Sequence, residues 1–575
     1  MEDFEDVEDS RKAPSRYFFS YFFFVFGCLL LYICLTSLIR LTRLSPPVIA
    51  DDSCIQWQRV KVSDSLYMVG NNWLHKNYNG LWEIYLEGNS FERGVAFGKL
   101  TKELIEYQED AFLEIINQYI PSEFYQRFLK YFVAWFNRKL PKYVPQEYLE
   151  EIYGVSLSAS PRFDFIAAPY LRQLNYHAAH DIGHALQNMN LVGCTSFALW
   201  NGRTSDSSLM VGRNFDFFAG ERFAENKLIS FIRPDSGYCF TMIGWAGMCG
   251  VLSGMNEKGL TVTINAAKSS IPTRSAIPVS LLAREILQYA ATIDEAYAIA
   301  DKRKTFVSES FLIGSSVDHR ASTIEKTPDL QELFAPADDQ IISVNHFQSE
   351  IFASDAFNLE NMRESDSPYR LARVNELLAD RTVFDEKGIA SILRDTHGLG
   401  GKKIGYGNEM AINQFIAHHT VIFKPGEQKF WVSTHPYQLG ELAAYNADSI
   451  FTLSTDGLLR TKSLPVVVNT IPADSFLFST DYAQFLCYRQ MCDSLKADIS
   501  GNRVGEELVD ERFVRRFVQT NPEMFHVYRL LGDWYQSRKM DSLSVKYWKM
   551  ALTKEIPRLS EKEYLEKQIQ KIISN

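Results

Sequence analysis

The chain has 575 residues, too many for one compact core, so two or three folded units are expected. Its formal charge of -10 excludes the basic face of a nucleic-acid binder, while an apolar share of 46% and a charged share of 23% are those of an ordinary globular protein. Eight cysteines with no CxxC pair make no disulfide framework, and each except Cys194 reads as a small buried hydrophobe.

Residues 1–16 form a short polar tail. From Tyr17 to Ile39 runs an uncharged stretch of 23 residues, long enough to cross a hydrocarbon core of roughly 30 Å. Arg11, Lys12 and Arg16 precede it and Arg40 and Arg43 follow, where a cleaved signal peptide would have small residues. An uncleaved single-pass transmembrane helix is expected, with the short tail inside and the large domain outside the cytoplasm. Residues 40–80 read as linker and entry segment. Residues 81–193 read as a helical fragment, with helix expected from about Glu83 because KLTKELIEYQEDAFLEIINQYI and EFYQRFLKYFVAWFNRKL carry apolar residues at helical spacing.

At Cys194 the period changes. CTSFALW, SLMVGRNFDF, LISFIRP, YCFTMIGW and GLTVTINAA are short β-branched or aromatic runs punctuated by Gly, Asp, Asn and Ser. A helical stretch follows (PVSLLAREILQYAATIDEAYAIADK), then strands at ESFLIGSS, IISVNHF, TVIFKPG and KFWVST, with His418 and His419 expected just before a strand. Mixed strands and helix pairs imply packed layers within a unit at 194–470. The tail, 471–575, is helical. Leu531-Gly532, Tyr535, Trp548 and Ala551 fall near the positions of one tetratricopeptide unit, with Ser544 where that repeat prefers Ala. A single repeat cannot bury its own face, which leaves two readings: a hairpin packed on the preceding unit, or a module for a protein partner.

The chemistry concentrates in LVGCTSFALWNGRTSDSSLMVGRNFDF. A Gly-Cys-Thr step enters a strand, Asn201-Gly202 to Ser207 reverse the chain, and the return strand ends in Arg213-Asn214-Phe215-Asp216. Side chains alternate across a hairpin, so entry and return can bring Cys194 beside Arg213 and Asp216. Further on come GMNEKGLTVTINA, SVNHF and DSPYRLARV.

In that order these motifs resemble the family of acyl-CoA:6-aminopenicillanate acyltransferase, with bile salt hydrolases and acid ceramidases as distant relatives. The resemblance covers about residues 80 to 470. It implies an α+β fold, the four-layer αββα sandwich of N-terminal nucleophile hydrolases, and self-cleavage between Gly193 and Cys194. Gly193 lacks a Cβ, so the backbone there can expose its carbonyl to the adjacent thiol. Cleavage would give Cys194 a free α-amine as its own base. By the same resemblance Arg213 and Asp216 orient that amine and tune the thiol, Asn265 and Asn345 offer amide donors to the oxyanion, and Arg370 braces the nucleophile, with Arg373 nearby in the same segment. The implied activity is hydrolysis of a linear amide, or transfer of its acyl group, with no cofactor and no metal.

Without the resemblance, Cys194 reads as a core cysteine, Arg213–Asp216 as a structural ion pair and Asn265 as a strand-end residue. His177, His180 and His184 share a helix face and could hold a metal, as in a metal-dependent hydrolase; capping near the cleavage site is the other reading of that segment. A non-catalytic, membrane-anchored binding or scaffold protein is the reading from a different class.

Overall fold

The computed structural model describes residues 21–30, 32, 44–185, 193–268, 275–455, 470–501 and 509–574. Much of the expected span Tyr17–Ile39 lies outside the described residues; 21–30 and 32 are helical. Among the described residues no helix is long and apolar enough to cross a membrane.

The entry segment is not a linker. It folds into β1 (Val60–Lys61), β2 (Leu66–Val69) and β3 (Asn72–Lys76), followed by β4 (Trp82–Gly88), so Glu83 lies in a strand and not at the start of a helix. Helix begins just after that strand, where Asn89 and Glu92 close a reciprocal capping box. The helices are α1 (Ser90–Tyr119), α2 (Glu123–Asn137), α3 (Gln146–Ser156) and α4 (Pro169–Ala185). α1 and α3 cross closely through glycines: a Cβ on Gly94 would lie 2.1 Å from the Glu151 carbonyl oxygen. One face of α2 leaves Phe124, Phe128, Phe132 and Trp135 exposed.

The next unit runs through β5 (Thr195–Asn201), β6 (Ser207–Asp216), β7 (Leu228–Pro234), β8 (Phe240–Gly244), β9 (Ser253–Asn256) and β10 (Leu260–Ala266). Then come α5 (Val279–Tyr289), α6 (Ile293–Lys302), β11 (Glu309–Ser315), β12 (Arg320–Lys326), β13 (Gln331–Phe334) and β14 (Gln340–Ser343). It closes with α7 (Ala356–Glu364), α8 (Ser367–Ala379), α9 (Glu386–Leu393), β15 (Ala417–Lys424), β16 (Lys429–Ser433), β17 (Leu442–Asn446) and α10 (Ala447–Thr455).

Two sheets result. One has eleven strands in the order β1-β2-β3-β4-β7-β8-β9-β10-β11-β12-β13, the other six in the order β14-β5-β6-β15-β16-β17. Three apolar layers separate the elements. Val262, Ile264, Phe311 and Ile313 of the large sheet pack with Leu282, Ile286 and Ala296 of α5 and α6. Ala198, Val211, Val421 and Val432 of the small sheet meet Ile229, Phe231 and Leu312 of the large one. Phe197, Leu199, Met210 and Ile422 pack with Val374, Leu378, Ile389 and Leu393 of α8 and α9. Period-two alternation along β5 thus sends Phe197 and Leu199 to helices and Ala198 to the opposite sheet, giving helix, sheet, sheet, helix.

The tail comprises α11 (Thr480–Ile499), α12 (Glu511–Thr520), α13 (Phe525–Ser537), α14 (Asp541–Ala551) and α15 (Leu559–Ile573). In the α13–α14 hairpin Gly532 sits directly under Trp548, where a Cβ would be 2.2 Å from the indole. The tail is packed against the sandwich: Phe415, Tyr437 and Leu439 share one apolar cluster with Phe485, Phe517 and Trp534.

Candidate active site

The β5–β6 hairpin builds the centre. Its register opposes Ser196 to Arg213 and Thr195 to Asn214, and the Gly193 N–H donates to the Asp216 carbonyl over 2.9 Å. Cys194 therefore stands diagonal to Arg213, whose Nη2 lies 3.6 Å from Sγ. Both side chains face the space between the sheets and are fully buried. Arg213 is held rigidly: Nη1 donates to the Leu252 carbonyl over 2.7 Å and to Ser253 Oγ, and Nη2 also reaches the Ile264 carbonyl. Its guanidinium lies over the Phe215 ring, 4.5 Å from the centroid.

Burial pushes the Cys194 thiol up to about 11; Arg213 pulls it down and Asp216 pushes it up. At neutral pH the thiol is therefore protonated. Asp216 is buried too, and neither of its carboxylate oxygens has a hydrogen-bond partner among the described residues. Burial pushes that carboxyl up to about 8, against the pull of Arg370 and Arg213. A buried, unpartnered carboxyl is a ready receptor for a cation.

Arg370 lies on α8, on the outer side of the small sheet. Its Nη1 donates to the Cys194 carbonyl over 2.6 Å and to Thr195 Oγ1 over 2.8 Å, Nη2 to Asn345 Oδ1 over 2.7 Å, and Nε to Asp366 over 2.6 Å. Arg373, one turn on, serves a different purpose and grips Asp395 and Glu376.

The two asparagines are not equivalent donors. Asn265 lies on β10; its Nδ2 donates to the carbonyl and hydroxyl of Ser343 over 2.8 and 3.2 Å, and its Oδ1 accepts from Ser196. Both of its amide hydrogens are engaged. Asn345 uses one, to the Ala266 carbonyl over 2.9 Å, and its position is fixed by Arg370 and by a backbone bond to Ser367.

Gln414 joins the site without any signal in the sequence. Its Nε2 lies 3.4 Å from the Gly193 carbonyl oxygen, and its amide rests where a Cβ on residue 193 would come within 3.0 Å. Glycine there serves close approach of a donor to the carbonyl rather than turn strain, since no positive φ is found at 193. No motif marks Gln414 because it comes from a loop distant in sequence.

His177 is not a free ligand. Its Nδ1 donates to the Gln173 carbonyl over 2.8 Å and its Nε2 accepts from the Cys249 N–H over 2.9 Å; burial pushes its pKa down to about 4. Asp181 accepts from Val279 N at the start of α5 over 2.9 Å. The side chains of His180 and His184 lie outside the described residues. Among the described residues no group of three or more His, Cys, Asp and Glu could hold a metal ion. His418 and His419 lie within β15, not before it.

Three comparisons with known proteins give the following likenesses. The family model described as acyl-coenzyme A:6-aminopenicillanic acid acyl-transferase matches residues 201–435, beginning after Cys194. Among curated relatives, an "Uncharacterized protein" of Archaeoglobus fulgidus is 24% identical over 354 residues, covering 54% of this chain and 57% of the relative. Protein dcd1B of Dictyostelium discoideum is 21% identical over 270 residues, covering 44% and 51%. The chain thus spans about half the length of the curated relatives it matches. Among solved structures, an N-acylethanolamine-hydrolyzing acid amidase ortholog of Caenorhabditis elegans aligns at 18% identity with a TM-score of 0.30, covering 40% of this chain and 93% of its own. A mutant of the conjugated bile acid hydrolase of Clostridium perfringens aligns at 15% identity and 0.30, covering 44% and 92%. The resemblance read from the ordered motifs is therefore carried by a family match: residues 201–435 of this chain have the pattern of the acyl-coenzyme A:6-aminopenicillanic acid acyl-transferase family.

Proposed function

We propose that this protein is an autoproteolytically activated cysteine amidohydrolase or acyltransferase, working on a linear N-acyl bond through an acyl-enzyme on Cys194. The observation that supports it best is the convergence on one peptide step: Arg213 on the Cys194 thiol, Arg370 on the Cys194 carbonyl, Gln414 on the Gly193 carbonyl, and an unpartnered Asp216 alongside. In activation, Sγ attacks the Gly193 carbonyl carbon while Gln414 donates to its oxygen. The C–N bond breaks, the nitrogen takes a proton, and water then hydrolyses the thioester to leave a Gly193 carboxylate and a free Cys194 amine and thiol. The new ammonium gives Asp216 a charge partner. In turnover the neutral amine takes the thiol proton, Sγ attacks the substrate carbonyl, and the spare amide hydrogen of Asn345 suits the developing oxyanion better than the fully engaged Asn265. Water or an acceptor amine then releases the acyl group.

Cys194→Ala abolishes both cleavage and amide turnover under this reading, and N-terminal sequencing of the large fragment of the unsubstituted protein reads Cys194. An uncut chain in an active preparation rules out the free-amine mechanism, and a fully active Cys194→Ala favours the scaffold alternative or another nucleophile.

Membrane attachment through Tyr17–Ile39, with the domain outside the cytoplasm, belongs to the same proposal. Its support is the uncharged run itself and the exposed aromatic face of α2, which suits a domain held close to lipid. Protease added to intact cells with a permeabilised outer layer digests the large fragment if this is right. Protection until the inner membrane is broken reverses the orientation.

A further inference from the structure

β15 pairs with β6 through a bulge: Ala417 opposes Asp216 and His419 opposes Phe215, so His418 is the extra residue. Bulges re-aim side chains beside functional sites, and this one turns two consecutive imidazoles into the fully buried interior behind Arg213. Ser253 Oγ lies 2.8 Å from His419 Nε2, and His419 Nδ1 lies 3.0 Å from His418 Nδ1.

One assignment of donors along this row starts from Arg213. Arg213 can only donate, so Ser253 Oγ accepts from it. In that assignment the Ser253 hydroxyl hydrogen goes to His419 Nε2, which leaves the His419 proton on Nδ1. That proton is donated to His418 Nδ1, and His418 keeps its own on Nε2. The His418 Nε2 atom has no hydrogen-bond partner among the described residues and lies among the rings of Phe223 and Trp245, with ring centroids at 5.8 and 5.4 Å. Both imidazoles are neutral: burial, helped by Lys227 and Arg213, pushes His418 down to about 3 and His419 well below its usual value. The other cation facing the pair, Lys227, is tied to Ser433 and to the Tyr437 carbonyl.

We infer that Ser253, His419 and His418 form a one-directional hydrogen-bond row that positions Arg213 over the Cys194 thiol, making them positioning residues for the nucleophile. The inference rests on Cys194 being the nucleophile. A guanidinium that donates to a hydroxyl held in place by His419 cannot rotate about its Cζ–Nε axis without taking a partner from that buried hydroxyl oxygen. Other charges facing the thiol are Asp216, Glu309 and Arg370, and none of them joins the row.

The test is the pH profile of alkylation at Cys194 by iodoacetamide, read by peptide mass spectrometry on the protein as purified from its host. Ser253→Ala and His419→Ala are each expected to raise the midpoint by about one unit, a roughly tenfold slower reaction at pH 7. The double substitution should shift it no further than either alone, and His419→Gln, whose amide oxygen can accept from Ser253, should restore most of the shift. Unmoved midpoints in folded Ser253→Ala protein, or additive shifts in the double variant, overturn the inference while leaving the nucleophile reading intact. Absence of alkylation at Cys194 in the unsubstituted protein overturns that reading, and this inference with it. If His419→Ala fails to fold, Ser253→Ala, which removes one oxygen, still decides the matter.

Discussion

Asp216 is an electrostatic cost built into this site. Its carboxyl is buried without a partner and is pushed from its ordinary value near 3.8 up to about 8. The unfolded chain releases that proton near pH 4, while the folded chain keeps it until about pH 8. Between those values the folded state binds more protons, so stability falls as pH rises. The buried histidines act in the opposite sense, but His177, His346 and His418 are pushed down to about 4, 4 and 3, so their contribution is complete above the ordinary histidine value. Lys227, pushed down to about 7, works against Asp216 above that pH, which is why a paired comparison is needed. In an uncleavable Cys194→Ala background, Asp216→Asn should remove up to about 2 kcal/mol of the stability lost between pH 6.5 and 8. Thermal melts of the two proteins at those pH values check this; identical pH slopes would show that Asp216 is already ionised and paired in the folded chain.

At the scale of elements, legibility follows periodicity and punctuation. The strands around Cys194 are readable because β-branched and aromatic runs are bounded by Asn201-Gly202 and by Asn256 to Gly259, where φ at Asn201 and Gly259 is positive. β1 to β4 are not, because Trp82–Gly88 and the short runs before it lack clean alternation: β4 is buried on both faces at Ile84, Tyr85 and Leu86. α8 and α9 escape for the opposite reason, having polar residues on the solvent side, although Ser367-Pro368 at the first turn of α8 is a helix-start signal. The motif residues themselves are readable as an ordered set, and the hairpin argument places Cys194 beside Arg213. Gln414, Ser253 and the histidine pair are not, since each reaches the site through tertiary packing and none belongs to a recognisable motif. His418 and His419 carry no ligand spacing, and a bulge is invisible to a period-two reading.

At the scale of the whole molecule, the proposed cut between Gly193 and Cys194 would divide the sequence but not the core. β4 lies before the cut and pairs in parallel with β7 after it, over seven residue pairs from Trp82–Leu228 to Gly88–Pro234. Glu151, before the cut, is gripped by Arg93 on its own side and by Arg284 on the other, with all three side chains buried; the two arginines hold its carboxyl below the usual range in spite of the burial. Separating the fragments would leave a buried Arg284 unpaired, the heavy penalty of breaking a buried pair from one side. Leu74, Ile84, Leu86, Leu100 and Ile152 from the first part share a single apolar cluster with Leu228, Ile232, Met242 and Ile264 from the second. Against this, the covalent link lost is one peptide bond. If the chain is cut there as proposed, it should run as fragments of roughly 22 and 44 kDa in denaturing gels yet elute as a single species in native size exclusion. Glu151→Gln should loosen that association, because it removes the charge both arginines share, and fragments should then begin to separate at lower denaturant. Fragments that elute apart without denaturant would mean that the segment before Cys194 is a removable propeptide, and that β7 is a sheet edge in the mature protein.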